Sequence, residues 1–320
     1  MYHILMRCDG GVGKREQFVG LIVNLGKGFM EVFVSFGDMI TETLGIKAET
    51  KKIEIGGYFS KIAETMKEVR EKLGKILEEN GKYEKVKGKV EEFIGKISKI
   101  EEGAKEASKG ATGEAIGNAA SAGHGATPAN KESVISLVKG IKAIVGVVFR
   151  DNEDSADANK TGDDKKDIGN LFASDNGKDE AKEENIAKAA ASIGTVSGAD
   201  ILKAVAKAKE DPKVDNAEGI NAATDSAEIA VAKAVDNKKE IKEGAKKDAV
   251  IAAGIALRGM GKDGKFAAKA EEKSVHAVNG AVASAVNKVL STLTIAIRNT
   301  VDEGLKGISE VLGEIKQGRF

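Results

Sequence analysis

The segment Asp248–Lys269, DAVIAAGIALRGMGKDGKFAAK, decides how the rest of the chain is read. Between Ala249 and Leu257, small residues alternate with Val250, Ile251, Ile255 and Leu257, so neighbouring backbones can approach on nearly every side. A helix that is apolar all round is a buried one, so this segment is expected inside a bundle. Gly259 and Gly261 break it, and Asp263-Gly264 turns the chain. These glycines follow a helix rather than a strand, the wrong polarity for capturing an anion at a helix amino terminus. The segment is read as carrying no chemistry of its own.

A bundle needs partners, and the two ends of the chain supply the clearest ones. From Phe18 an apolar stripe runs through Leu21, Ile22, Leu25, Phe29, Val32, Phe33, Phe36 and Ile40, on one helical face. At the other end Val275, Val278, Val282, Val286, Val289, Leu293, Ile297, Val301, Leu305, Ile308, Leu312 and Ile315 form a second stripe. At ~1.5 Å per residue that helix is a rod roughly 60 Å long. Neither stripe is stable in water, so the first and last helices are expected side by side, with both termini at one end.

Composition agrees with an all-α chain. Of 320 residues only two are proline (Pro128, Pro212), none is tryptophan, and aromatics make up 4%, so the core must be built from Ala, Val and Ile. The 38 glycines predict short helices and glycine-rich loops. Lys plus Arg and Asp plus Glu both number 50, so no net field favours nucleic acid. The single cysteine, Cys8, excludes an internal disulfide, and no apolar run of about 18 residues predicts a membrane-spanning helix.

Further helices are expected at Ile55–Glu79, Tyr83–Ile100, Glu183–Ile193 and Ile220–Val235. Ser133–Phe149 is apolar nearly all round and reads as a central helix. Ser197-Gly-Ala-Asp200 has capping-box spacing, so a helix should run over Gly198–Glu210 until Pro212 stops it. The Ala/Gly/Ser tract Gly103–Lys131 and the polar stretches Asp151–Asp167, Ser174–Glu184 and Asp236–Lys247 resist a helical reading. They are expected to be mobile solvent loops or frayed ends, at the pole opposite the paired end helices.

No pattern for catalysis, a cofactor or a metal emerges. His3, His124 and His276 lie far apart and lack the i, i+3 or i, i+4 spacing of a metal site. Asp151–Asp167 lacks the glycine and the terminal glutamate of a calcium loop. Phosphate-loop, dinucleotide, hydrolase-elbow and zinc-protease motifs are missing. The lysines Lys72, Lys75, Lys82, Lys85, Lys87 and Lys89 are interleaved with Glu71, Glu78, Glu79 and Glu84, which reads as an ion-paired solvent face.

Five blocks, in order along the chain, carry a family resemblance: NLGKGFMEVFVSFGDMITETLGIKAETKK (Asn24–Lys52), SLVKGIKAIVGVV (Ser136–Val148), AASIGTVSGADILKAVAKAK (Ala190–Lys209), the Asp248–Lys269 segment, and SAVNKVLSTLTIAIRNTVDEGLKGISEVLGEIKQ (Ser284–Gln317). Together they resemble the variable large protein family, the variable major outer-surface lipoproteins of relapsing-fever spirochaetes, and the related Lyme-spirochaete variable surface antigen. The resemblance implies a surface-exposed lipoprotein, lipid-anchored in the cell outer membrane, that serves antigenic variation and evasion of host antibody. It implies partnership with outer-membrane lipid and host antibodies and no nucleic acid. An adhesin gripping host cells or a glycosaminoglycan is the alternative, and an intracellular helical structural protein a further one.

The same resemblance places Cys8, followed by Asp-Gly-Gly, at the family's lipid-attachment position; an incidental thiol is the other reading. Arg7 stands where a small residue is expected, and Ile4-Leu5-Met6 is short for an apolar signal core, so the chain as written is expected to be neither exported nor lipidated. A misassigned start and an unexpressed archival copy both account for that. Residues 1–14 then form a truncated leader and flexible tether, and 15–317 a single elongated all-α helical bundle. Within it, 15–100 and 274–317 are the membrane-proximal stalk, and 101–273 a distal dome of short helices and polar loops. Variation is expected in 103–131, 151–185 and 211–247.

Overall fold

Apolar residues at three- and four-residue spacing place Ile55, Tyr58, Phe59, Ile62, Met66, Val69 and Leu73 on one buried face. They lie on α1 (Lys52–Asn80), which packs antiparallel to α2 (Glu84–Gly110) through Val86, Val90, Phe93, Ile97 and Ile100. A computed structural model describes residues 13, 16, 20, 45–80, 84–149, 155–162 and 164–316. The stripe from Phe18 to Ile40, apart from Gly20, lies outside the described residues, and with it the expected pairing of first and last helices.

Helix α2 runs ten residues past its expected end at Ile100, through the first part of the tract read as a loop. Gly103, Ala104, Ala107 and Gly110 are buried, and they let α3 (Lys131–Val148) come into backbone contact. A Cβ added to Gly140 of α3 would sit 2.4 Å from both the Gly103 oxygen and the Ala107 nitrogen. Composition marks such residues as loop formers; here they are a helix-packing surface, and the loop begins only after Gly110. Helix α3 starts at Asn130, whose side chain accepts the Ser133 N–H. It is not the central helix, because Glu132, Lys139, Lys142, Ala143 and Gly146 face solvent.

The centre is occupied instead by the segment that opened the sequence reading. It forms α7 (Asp248–Met260), in which every residue except Val250 is buried. Around it lie α4 (Glu183–Thr195), α5 (Gly198–Lys207) and α6 (Ser226–Val231). The Ser197–Asp200 capping box has both of its hydrogen bonds, and α5 ends at Lys207, short of Glu210. The helix expected over 220–235 is divided into a 3-10 turn, Gly219–Ala222, and α6, because Asp225 caps a new start by accepting the Glu228 N–H.

The last helix, α8 (Glu272–Lys316), is a single element of 45 residues, roughly 68 Å at ~1.5 Å per residue. Its first half lies against α7, α5 and α4: Gly259 faces Val282, and Gly198 faces Lys288 and Thr292. Farther along, the Tyr58 hydroxyl on α1 meets that of Thr294 at 2.6 Å, and Gly304 receives the Phe93 ring of α2. The stripe of α8 is therefore divided between the two groups of helices.

Among the described residues the polar stretches take local structure: Asp175–Glu180 and Glu243–Ala245 form 3-10 turns, and Ile241 is buried. The first stretch runs into a third 3-10 turn, Lys166–Phe172, whose Ile168, Leu171 and Phe172 are buried. The glycine-rich tract is tied down as well. His124 and Thr127 form antiparallel bridges with Ala268 and Lys265, and Ala119 donates its N–H to Asn279 near the start of α8.

Candidate functional site

Helix α7 contains two charged residues, Asp248 and Arg258, and both are fully buried. The sequence offered a signal for them that the apolar reading passed over: a charge on a helix buried all round must be buried too, and so must find partners.

Asp248 sits at the first turn of α7 and reaches into the loop that precedes α4. Its Oδ2 accepts the N–H of Lys160 at 2.6 Å and of Thr161 at 2.7 Å; Oδ1 accepts the Thr161 hydroxyl at 2.6 Å. The buried Lys165 ammonium lies 3.1 Å away. Burial pushes this carboxyl up, but the hydrogen bonds from Thr161 and Lys160 outweigh it and hold the group below its ordinary value. Asp200 of α5 acts on the same loop, accepting the Ser155 N–H at 2.8 Å.

Arg258 lies at the other end of α7. Its Nη1 donates to the carbonyls of Ile229, Ala230 and Ala232, where α6 ends, and its Nε donates to Lys265. The guanidinium stands 4.9 Å from the Phe172 ring centroid and 5.6 Å from that of Phe266. Lys52, from the first turn of α1, inserts beside it and donates to the Gly261 and Gly264 carbonyls at 2.6 and 2.8 Å. These are the C-terminal oxygens of α7 and its following turn, where a helix favours a cation.

Burial pushes the Lys52 ammonium down to about 8, with repulsion from Arg258 adding to the effect and Asp263 opposing it. Between pH 8 and the ordinary lysine value of 10.5, the unfolded chain keeps a proton that the folded chain has lost, so stability rises with pH across that window. Below pH 8 both states carry the proton and the contribution is flat. Urea unfolding at pH 7.5 and 9.5 should therefore show the parent gaining about 1–2 kcal/mol more than Lys52→Met. Equal changes in the two proteins would refute the assignment.

Other helix side chains hold neighbouring loops in the same way. Glu228 on α6 accepts the Thr224 N–H at 2.9 Å and the Lys209 ammonium at 2.7 Å. Lys288 on α8 donates to the carbonyls of Ile193, Gly194 and Val196 at the end of α4. Lysines around these loops meet carboxylates of the same chain: Lys188 of α4 with Asp164, Lys239 with Glu180, Lys246 with Glu243, and Lys207 of α5 with Asp157.

Cys8 and His3 lie outside the described residues. His124 accepts the Ala120 N–H through Nε2 and lies against the Gly125 carbonyl through Nδ1, while His276 is exposed beside Glu272. The structure does not bring these two histidines together, and no metal-holding group of three or more His, Cys, Asp or Glu occurs among the described residues. Of the lysine-rich face, Lys82 lies outside the described residues, and Lys89 pairs with Glu92 rather than with one of the interleaved glutamates. Pairs on these two helices include Lys67–Glu71, Lys89–Glu92 and Lys96–Glu92. The last two rim a cleft of about 320 Å³ between α2, α8 and the end of α3, floored by Phe93, Val148 and Gly304. Among the described residues the arrangement is a packed frame whose charged side chains anchor the neighbouring loops.

Three comparisons bear on this architecture. Residues 29–312 match the family model described as Borrelia lipoprotein. Variable large proteins 4 and 17 of Borrelia hermsii are 59% and 56% identical to the chain; each alignment covers 99% of the chain, and 92% and 91% of the relative. Among solved structures, the Lyme disease variable surface antigen VlsE of Borrelia burgdorferi superposes with a TM-score of 0.71 at 32% identity, covering 92% of this chain and 99% of that one.

Proposed function

The chain belongs to the Borrelia lipoprotein family, and from that membership we propose that it is a surface-exposed, lipid-anchored outer-membrane antigen whose outward loops serve antigenic variation and evasion of host antibody. The observation that carries this reading is the full-length similarity to a variable surface antigen. The frame gives it a physical basis. Substitutions on exposed loops usually change stability by within about 0.5 kcal/mol, whereas changes in a packed core cost several times more. The dome, 101–273, presents the loops to host antibody, and 15–100 with 274–317 form the stalk beneath it. Cys8, at the family's lipid-attachment position, is the residue that would carry the lipid on the misassigned-start reading, which removes the obstacle of Arg7; two or more acyl chains make anchoring effectively stable.

Comparison of sibling copies should find sequence differences concentrated in the exposed positions of 111–131, 151–185 and 211–247, outside the buried end of α2 and the buried α6. Protease added to intact cells should cut the chain at those exposed positions. Differences spread evenly along 284–317, or a chain untouched by external protease, would overturn the reading. The adhesin alternative draws less support, because the solved structure similar over the whole chain is a variable surface antigen. Salt-sensitive retention of the chain on heparin would restore it.

A further inference from the structure

The partners of the buried acids facing the 155–162 loop are largely main-chain atoms. Asp248 accepts two consecutive N–H groups, those of Lys160 and Thr161, and Asp200 accepts the N–H of Ser155. The next residue of α7 takes part too, since the Ala249 N–H donates to the Ala158 carbonyl at 3.1 Å. Every residue except proline carries these groups whatever its side chain. By contrast, the side chains of Asp157, Lys160, Asp164 and Lys166 stand in solvent. The loop's side chains also touch the frame: the Thr161 hydroxyl and Lys165 meet Asp248, and Ala156 and Ala158 pack against the core. At the surface Asp157 pairs with Lys207, while Lys160 lies 4.0 Å from Asp200. Exposed ion pairs contribute little, so the main hold on the exchangeable positions is through the backbone.

We infer that Asp248 and Asp200 are positioning residues that grip the 155–162 loop by its backbone, so that its outward side chains can be exchanged while its path stays fixed. Hydrogen bonds from N–H groups to an ionised, buried carboxylate are stronger than neutral ones, and the carboxylates belong to helices whose own packing fixes them. The loop thus takes its shape from the frame. This deepens the antigen reading and rests on it only for the biological use of exchangeable side chains; the grip itself is a property of the purified chain.

Residue-resolved amide hydrogen exchange on the full chain tests it. In the parent, the Ser155, Lys160 and Thr161 amides should exchange at least ~10-fold more slowly, after correction for intrinsic rates, than that of Gly162 in the same loop. A quadruple variant, Asp157→Ser, Lys160→Ser, Asp164→Ser and Lys166→Ser, should leave the Lys160 and Thr161 amides within ~3-fold of the parent. Asp248→Asn should speed both by ~10-fold or more, and Lys160→Pro, which removes one of the gripped N–H groups, should speed that of Thr161. If Asp248→Asn does not fold, the parent and quadruple measurements still decide. Parent amides at 160 and 161 exchanging as fast as at 162, or a quadruple variant as loose as Lys160→Pro, would overturn the inference. Loss of surface exposure on cells would defeat the antigen reading and leave these rates unchanged.

Discussion

Arg258→Ala should lower the unfolding free energy by about 3–5 kcal/mol at pH 7, the range for deleting a large, fully buried side chain. Two effects compete. Burial pushes this guanidinium down to about 9, so the folded chain bears a substantial cost for keeping it charged, and removal relieves that cost. Against this, truncation opens a cavity beside Phe172 and Phe266 and takes the donor from three carbonyls at the end of α6 and one at Lys265. Each orphaned buried acceptor costs about 1–3 kcal/mol, so several together exceed the relief. Arg258→Lys should recover only part of the loss, because one ammonium cannot copy a planar fork that donates in two directions. Urea denaturation reads the result; an unchanged midpoint for Arg258→Ala would mean that the α6 terminus finds other donors.

Two glycines of α3 should respond to alanine in opposite directions. At Gly140 the new methyl would meet the Gly103 oxygen and Ala107 nitrogen at 2.4 Å, forcing α2 and α3 apart, and a loss of about 1–3 kcal/mol is expected. At Gly146, six residues later on the same helix, a Cβ would meet nothing within 4 Å. That substitution should stabilise by about 0.5–1 kcal/mol through helix propensity alone. Thermal unfolding of the pair separates close backbone approach from generic glycine destabilisation. If both variants melt below the parent, the α2–α3 contact is not the cause.

These cases show which features were legible. Amphipathic spacing located α1, α2 and α8 because core-facing positions recur every three or four residues within one element. The Ser197–Asp200 box was legible for the same reason, since its two partners stand three residues apart. Gly103–Gly110 was misread as loop because what makes those glycines helical is α3, beginning at Lys131. The anchors were out of reach for a similar reason: Lys52 meets the Gly261 carbonyl across 209 positions, and Asp248 meets Thr161 across 87.

The chain by itself determined an all-helical bundle, a buried helix over Ala249–Leu257 and the long final helix, because helix formation and amphipathicity depend on near neighbours. That the buried helix runs from Asp248 through Gly259 to Met260 was decided by packing, with Gly259 set against Val282. Only the tertiary structure decided which backbone groups of the polar stretches the helices would hold. A segment without an apolar face cannot offset its own ordering entropy, and here that cost is met by carboxylates, cations and small-residue contacts from helices distant in sequence. Those anchors act on backbone groups common to nearly every residue, so the loop sequences contain little trace of them.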